Sequence, residues 1–251
     1  MNTNKFPKFY RERGMLITET VADFVQVCID FSRELVLFRP NTSLTETELL
    51  LCAQNLGEVI AHPAYGPVTN IKVNKVCQSV SIAMKPVRHD YHTDGSFKDV
   101  PPREFLLQCV SADCEGGASI FLQVAALFKE PVQEHINALL DTTWKIQRPS
   151  YNNEPVSTYI GALLKIDKTG EFKLRWRHDD MVKPVLVSAT NPAKSRAAYT
   201  WLKGRVDSLK PKVYKMQNGE IVRVPNEYIL HGRQAITSLE SERHMRRIWI
   251  A

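Results

Sequence analysis

Apolar residues at Val21, Phe24, Val25, Cys28 and Phe31 recur at helical spacing and predict an amphipathic helix over residues 20–34. Leu35-Val36-Leu37-Phe38 follows as a short strand, stopped by Arg39-Pro40. Thr45-Glu46-Thr47-Glu48 has the capping-box pattern and opens a helix through Leu49, Leu50 and Cys52 to Leu56, with Gly57 placed to end it. Residues 67–90 read as short β segments, and Glu104-Phe105-Leu106-Leu107-Gln108-Cys109-Val110 as a buried strand. A further helix is predicted over 123–141, interrupted or started near Pro131. Asn191-Pro192 combines a cap residue with proline at the first helical position, so a helix should run through Ala197, Trp201 and Leu202 towards Val206. In Lys215–Val222 the pair Asn218-Gly219 sits between extended segments and predicts a hairpin. Two strands then close the chain. One carries His231, and the last, Arg243–Ile250, alternates basic and apolar positions as a half-buried strand would.

Composition narrows the class. The chain has 251 residues, 43% hydrophobic and 24% charged, with no apolar run approaching the length of a bilayer span and no repeat or low-complexity linker. One compact domain over 1–251 is expected. The segment Met1–Lys8 lacks the apolar core of a secretory signal, so the expected location is cytoplasmic. Cys28, Cys52, Cys77, Cys109 and Cys114 are odd in number and form no Cys-x-x-Cys pair, which speaks against a disulfide framework or a zinc ribbon. Cys109 and Cys114 read as buried thiols. The formal charge of +6 invites an anionic partner, but the basic residues are spread along the chain. Neither nucleic acid nor membrane is expected as a partner, a small acidic molecule is, and homo-oligomerisation is left open. The lysines at 203, 210, 212 and 215 read as solvated surface.

The chemistry concentrates in His92-Thr93-Asp94 and in His231 of Leu230-His231-Gly232-Arg233. Residues one apart on an extended segment share a face, so His92 and Asp94 can reach one metal ion, with His231 arriving from another strand. Two imidazoles and one carboxylate are the ligand set of non-heme iron(II) oxygenases, and they leave positions free for a bidentate co-substrate and dioxygen. Structural zinc would want a closed site, usually with thiolates. Arg243 lies twelve residues beyond His231. A buried arginine there offers a rigid fork matched to a carboxylate.

These residues resemble the iron(II)- and 2-oxoglutarate-dependent dioxygenases of the taurine dioxygenase and clavaminate synthase type, over most of the chain. The matching pieces are His92 and Asp94, the segment Gly116-Gly117-Ala118-Ser119, His231, and Arg243 with Arg247. The resemblance implies an α+β protein with a mainly β core: a double-stranded β-helix, the cupin-like jelly roll, with flanking helices, a fold that the many strands in sequence-distant pairs also suit. It implies that His92, Asp94 and His231 bind Fe(II), and that Ser119, where the family generally has threonine, shares the distal carboxylate of 2-oxoglutarate with Arg243. It further implies that Arg247, with His62 and Tyr65 on a facing loop, meets an acidic group of the substrate. O2 and 2-oxoglutarate would be consumed, with succinate and CO2 released and a C–H bond hydroxylated. The presence of Asp94 speaks against halogenation, which needs a small residue there to admit chloride. Tyr91 stands where the taurine enzyme has tryptophan, so amino acids are as well suited as sulfonates.

Other motifs have plainer readings. Arg175-Trp176-Arg177-His178-Asp179 reads as barrel structure with a candidate pocket arginine, and His244 should point away from Arg243. Arg247 has an alternative as a structural ion pair, and His62 as a residue packed beside Pro63. His89-Asp90 rivals His92/Asp94 for a metal, but adjacent residues face opposite sides of a strand. The alternatives to a hydroxylase are a desaturase or lytic enzyme with the same anchors, and a non-catalytic metal-binding β-barrel.

Overall fold

In the computed structural model, residues 7–73, 82–112, 115–150, 155–179, 182–237 and 243–251 are described. The larger sheet has eight strands. Its order is β1 (Tyr10–Glu12), β2 (Met15–Thr18), β3 (Val36–Phe38), β15 (Ile221–Pro225), β7 (Glu104–Ser111), β17 (His244–Ile250) and β4 (Val59–Ile60), with β5 (Thr69–Lys72) also paired to β17. The smaller sheet runs β14 (Lys212–Tyr214), β8 (Ser119–Gln123), β16 (Ile229–Arg233) and β6 (His89–His92). Three strands, β9 (Thr143–Arg148), β10 (Ser157–Gly161) and β13 (Val185–Ser188), form a separate sheet, and β11 (Leu164–Ile166) pairs with β12 (Phe172–Leu174). This is the expected jelly-roll, whose two main sheets do not close on themselves.

Side-chain alternation sorts each strand between layers. Phe105 and Cys109 of β7, Val222 and Val224 of β15, and Met245 and Trp249 of β17 meet Phe121 and Ile229 of the smaller sheet in one core between the sheets. The alternate residues Leu106, Ile221, Ile248 and Ile250 face away, onto α1 (Val21–Asp30) and α2 (Glu46–Gln54), through Phe24, Val27 and Leu49. A third core joins the outer face of the smaller sheet, through Ile120, Leu122 and Leu230, to α3 (Val124–Leu127), α4 (Gln133–Asp141) and α5 (Pro192–Ser208).

Local signals explain the helix starts. Thr45 and Glu48 form the reciprocal capping box of α2, and the Asn191 side chain accepts from the Lys194 amide at the head of α5. The helix expected over 123–141 is divided, with Pro131 in the break between α3 and α4. Cys28, Cys52 and Cys109 are buried, whereas Cys77 and Cys114 lie outside the described residues. No helix of the described residues is long and apolar enough to cross a membrane.

The expected hairpin at Asn218-Gly219 is not formed. The turn chemistry is right, since Gly219 takes a positive φ of 87°, but β14 pairs with β8 while β15 pairs with β3 and β7. The chain crosses there from one sheet to the other. Asn218 Oδ1 accepts from the Ala112 amide at 2.7 Å and the Gly219 amide donates to Cys109 at 2.7 Å, so the turn docks on β7. Lys212 and Lys215, expected on a solvated surface, donate to the carbonyls of Gly14 and Gly116 and tie this crossing to its neighbours.

Candidate metal centre

Strands β6 and β16 place His92 and His231 as direct cross-strand partners. Directly opposed residues bring their side chains together on one face, and the two rings lie 4.2 Å apart, centre to centre. The strand ends at His92, so Asp94 occupies the following turn and not the strand itself. Thr93 anchors the passage by donating its amide to the Trp176 carbonyl at 2.8 Å. Fully buried Asn226 then fixes the Asp94 backbone. Its Oδ1 accepts from the Asp94 amide at 2.7 Å, and its Nδ2 donates to the carbonyls of Asp94 at 2.9 Å and Pro102 at 2.8 Å.

Beside Asp94, Arg175 donates to the carbonyls of Ser96, Lys98 and Asp99 and lies over the Tyr159 ring at 3.5 Å. It locks the loop after Asp94.

Asp94 Oδ1 lies 3.5 Å from His92 Nε2 and 3.6 Å from His231 Nε2, and one donor atom from each of the three residues falls within 4.8 Å of the others. His92 Nδ1 meets the Asp90 carbonyl at 2.9 Å. A carbonyl can only accept, so Nδ1 donates to it and Nε2 is the ring nitrogen left facing the carboxylate. A cation between these nitrogens and the carboxylate would meet the ligand types that suit iron(II). Metal bonds of about 2.0–2.2 Å to imidazole and carboxylate would span these separations. Burial pushes the His231 imidazole down to about 4, with His92 beside it adding to the shift, so it is neutral and free to donate its lone pair near pH 7. Burial alone would raise the Asp94 carboxyl, but the Arg247 guanidinium and the two imidazoles hold it well below the ordinary carboxylate range.

The last strand finishes the site. Its alternation sends Arg243, Met245, Arg247 and Trp249 inward, while His244 turns outward to Asn70 at 2.7 Å and Arg246 outward to Gln108 and Glu46. Arg247 Nη1 donates to both Asp94 oxygens, at 3.1 and 3.0 Å, and Trp249 Nε1 donates to Oδ2 at 2.7 Å. The outer oxygen of the candidate ligand is therefore held by an indole and a guanidinium. Trp249 and Asn226 were not singled out from the sequence; the inward register of Trp249 on an alternating strand was the only available signal.

Ser119 and Arg243 line a cavity of about 60 Å³ with His92, His231, Leu107 and Met245. Gly116 and Gly117 precede Ser119 with φ of 70° and 65°, and a Cβ on Gly116 would come within 2.3 Å of the Ala235 carbonyl oxygen. That close approach requires glycine and starts β8 in the register that turns Ser119 inward. The His62 and Tyr65 rings lie 4.7 Å apart and tilted, and His62 lies 5.1 Å from the ring of Trp249, whose indole holds Asp94. The rival pair is split: Asp90 is exposed and paired with Arg88 at 2.8 Å, while His89 is buried.

The profile of the family described as "Taurine catabolism dioxygenase TauD, TfdA family" matches residues 30–249. The chain belongs to this family. A curated relative, an alpha-ketoglutarate-dependent sulfate ester dioxygenase of Pseudomonas putida, is 26% identical over 119 residues, spanning 47% of this chain and 38% of the relative. Among solved structures, the non-heme iron oxygenase OrfP in complex with Fe and alpha-ketoglutaric acid superposes with a TM-score of 0.74 at 16% identity, covering 92% of this chain and 79% of the other. An asparagine oxygenase gives 0.73 at 17% identity, with 92% and 78% covered. PvcB of Pseudomonas aeruginosa gives 0.68 at 18%, with 94% and 84% covered. The family and the jelly-roll fold are those expected from the sequence, the chain spans well under two thirds of the curated relative it matches, and the three converging donors suit an iron ion.

Trp249→Phe tests how the carboxylate is held. Loss of an outer hydrogen-bond partner of a metal ligand typically costs 10–100-fold in affinity. Anaerobic Fe(II) titration of the variant should show a dissociation constant raised by about tenfold or more, whereas an unchanged value would assign the holding of Asp94 to Arg247 alone.

Proposed function

We propose that this TauD-family dioxygenase oxidises an unactivated C–H bond of a small acid-bearing substrate, such as an amino acid or a sulfonate, by hydroxylation, with conversion of 2-oxoglutarate and O2 to succinate and CO2. The observation that carries the reading is the convergence of His92, Asp94 and His231 beside a cavity that also holds Ser119 and Arg243. His92, Asp94 and His231 would hold Fe(II), which when bound supplies the activation of dioxygen against the keto acid. Arg243 and Ser119 would take the distal carboxylate, the arginine through its fork and the serine through its hydroxyl. The apolar side chains of Leu107 and Met245 would flank the methylenes between. We read residues 1–251 as one catalytic domain.

Arg247, with His62 and Tyr65 near it, is assigned to the acidic group of the substrate. Nη1 is engaged with Asp94, while Nε is buried without a partner among the described residues, so the guanidinium keeps donor capacity for a second anion. The relatives' names support this class, since sulfate esters and asparagine both carry an acidic group. The test is a screen of amino acids, sulfonates and other small acids for stimulated succinate formation with Fe(II), ascorbate and 2-oxoglutarate. No succinate with any addition, and none without, would end the proposal. Arg247→Ala is expected to raise the KM for an active acid by about tenfold or more, the scale of a lost hydrogen bond to a charged group. If only Fe(II) affinity falls, Arg247 serves Asp94 and not the substrate.

A further inference from the structure

His89 is a fourth histidine in this region, and nothing in the reading above uses it. It is 9% exposed, its Nε2 is buried with no partner among the described residues, and it lines the same cavity as Ser119 and Arg243. It enters from β6, opposite Arg233 of β16. A bulge between His231 and Arg233 brings the strands so close that a Cβ on Gly232 would sit 2.4 Å from the His89 carbonyl oxygen. Arg233 in turn donates to the carbonyls of Ala83 at 3.1 Å and of Lys85 and Val87 at 2.5 Å, fixing the segment that leads into His89. The position is built, and the imidazole is held in it.

Two simpler roles fit poorly. His89 is not a fourth ligand: its ring stacks on His92 at 3.9 Å with planes 25° apart. Imidazole lone pairs lie in the ring plane, so two nearly parallel stacked rings direct them side by side instead of at one ion. Nor does stacking alone account for it, because a phenyl ring would stack equally well without a buried nitrogen left unpaired. The cavity is lined mainly by apolar groups, so each polar atom in it marks a place where a polar part of the occupant should lie.

We propose that His89 Nε2 is a hydrogen-bond donor to 2-oxoglutarate, at the carboxylate next to the keto group; this rests on the proposed use of the cavity for that co-substrate. Bidentate binding of a 2-keto acid through one carboxylate oxygen and the keto oxygen leaves the other carboxylate oxygen without a metal bond. His89 lies against the metal-side imidazole, whereas Arg243 and Ser119 serve the far carboxylate. A neutral imidazole supplies the one N–H that this oxygen needs.

The test is calorimetric titration of the Fe(II)-loaded protein with 2-oxoglutarate under argon, compared between wild type and His89→Phe, together with Fe(II) titration of each. Phenylalanine keeps the stack and removes the donor. The expected result is a 2-oxoglutarate Kd raised about ten- to a hundredfold, the scale of a lost hydrogen bond to a charged partner, with the Fe(II) Kd within about twofold of wild type. A 2-oxoglutarate Kd within about twofold of wild type overturns the proposal, as does an equal loss of Fe(II) affinity, which would mean that His89 acts through His92. Should the phenylalanine variant not fold, His89→Gln and His89→Met decide: the glutamine, which keeps an N–H donor, should bind 2-oxoglutarate more tightly than the methionine, and equal affinity overturns the proposal. Failure of the wild type itself to bind 2-oxoglutarate would instead remove the functional reading beneath it.

Discussion

Asp94→Ala is expected to abolish 2-oxoglutarate turnover, a loss well beyond the 10–100-fold that removal of an outer hydrogen-bond partner brings. Asp94 Oδ1 is the atom that both imidazole nitrogens approach, at 3.5 and 3.6 Å, so its removal deletes the only anionic member of the three. It also strands two donors. Trp249 Nε1 and Arg247 Nη1 converge on the carboxylate and would be left facing an apolar methyl. Melting of the protein with and without Fe(II) gives a readout apart from activity. Binding at a hundred times Kd stabilises a folded protein by about 2.7 kcal/mol, so the wild type should melt higher with the ion and the variant should not shift. A variant that retained turnover, or a full metal-dependent shift, would mean that the ion sits elsewhere.

Glu104→Ala should cause the largest loss of stability, about 3–5 kcal/mol, the scale of a buried ion pair deprived of one partner. Glu104 and Arg223 are each 2% exposed and bind each other across β7 and β15, on the face turned away from the metal site. Arg223 also donates to the carbonyls of Phe31 at 3.4 Å and Glu34 at 3.2 Å, so the guanidinium locks the segment after α1 to the large sheet. With the carboxylate gone, a permanently charged group stays in a dry interior, because arginine cannot shed its proton. Chemical denaturation would measure the change, and a loss under about 1 kcal/mol would mean that the pair behaves as a solvated one. Arg223 lies near Arg243 and Arg247 in sequence, yet strand alternation turns it to the opposite layer, where its role is structural.

Features governed by neighbours in sequence were legible. The capping box at Thr45, the Asn191-Pro192 helix start and the alternation of Arg243–Ile250 depend on spacing alone, and each is formed as read. The pairing of His92 with Asp94 and the distant His231 was legible through ligand chemistry joined to family likeness. The Asn218-Gly219 turn was half legible: the backbone twist that suits a hairpin also suits a crossover, and pairing partners from β3, β7 and β8 decided the outcome. Asn226 looked like an ordinary turn residue after β15, because its three hydrogen bonds reach residues more than a hundred positions earlier. The grip of Trp249 and Arg247 on Asp94 was hidden for the same reason. Local pattern tells which face a side chain takes, and only the folded arrangement tells what waits on that face.

The most direct measurement of the central claim is an oxygen-free titration of the metal-free protein with Fe(II), followed by 2-oxoglutarate, read by calorimetry. The account predicts one ion per chain, then one 2-oxoglutarate per chain, with binding of the keto acid weakened severely when the ion is withheld. Saturation with Fe(II) that survives simultaneous replacement of His92 and His231 by alanine, or 2-oxoglutarate binding indifferent to the ion, would contradict it.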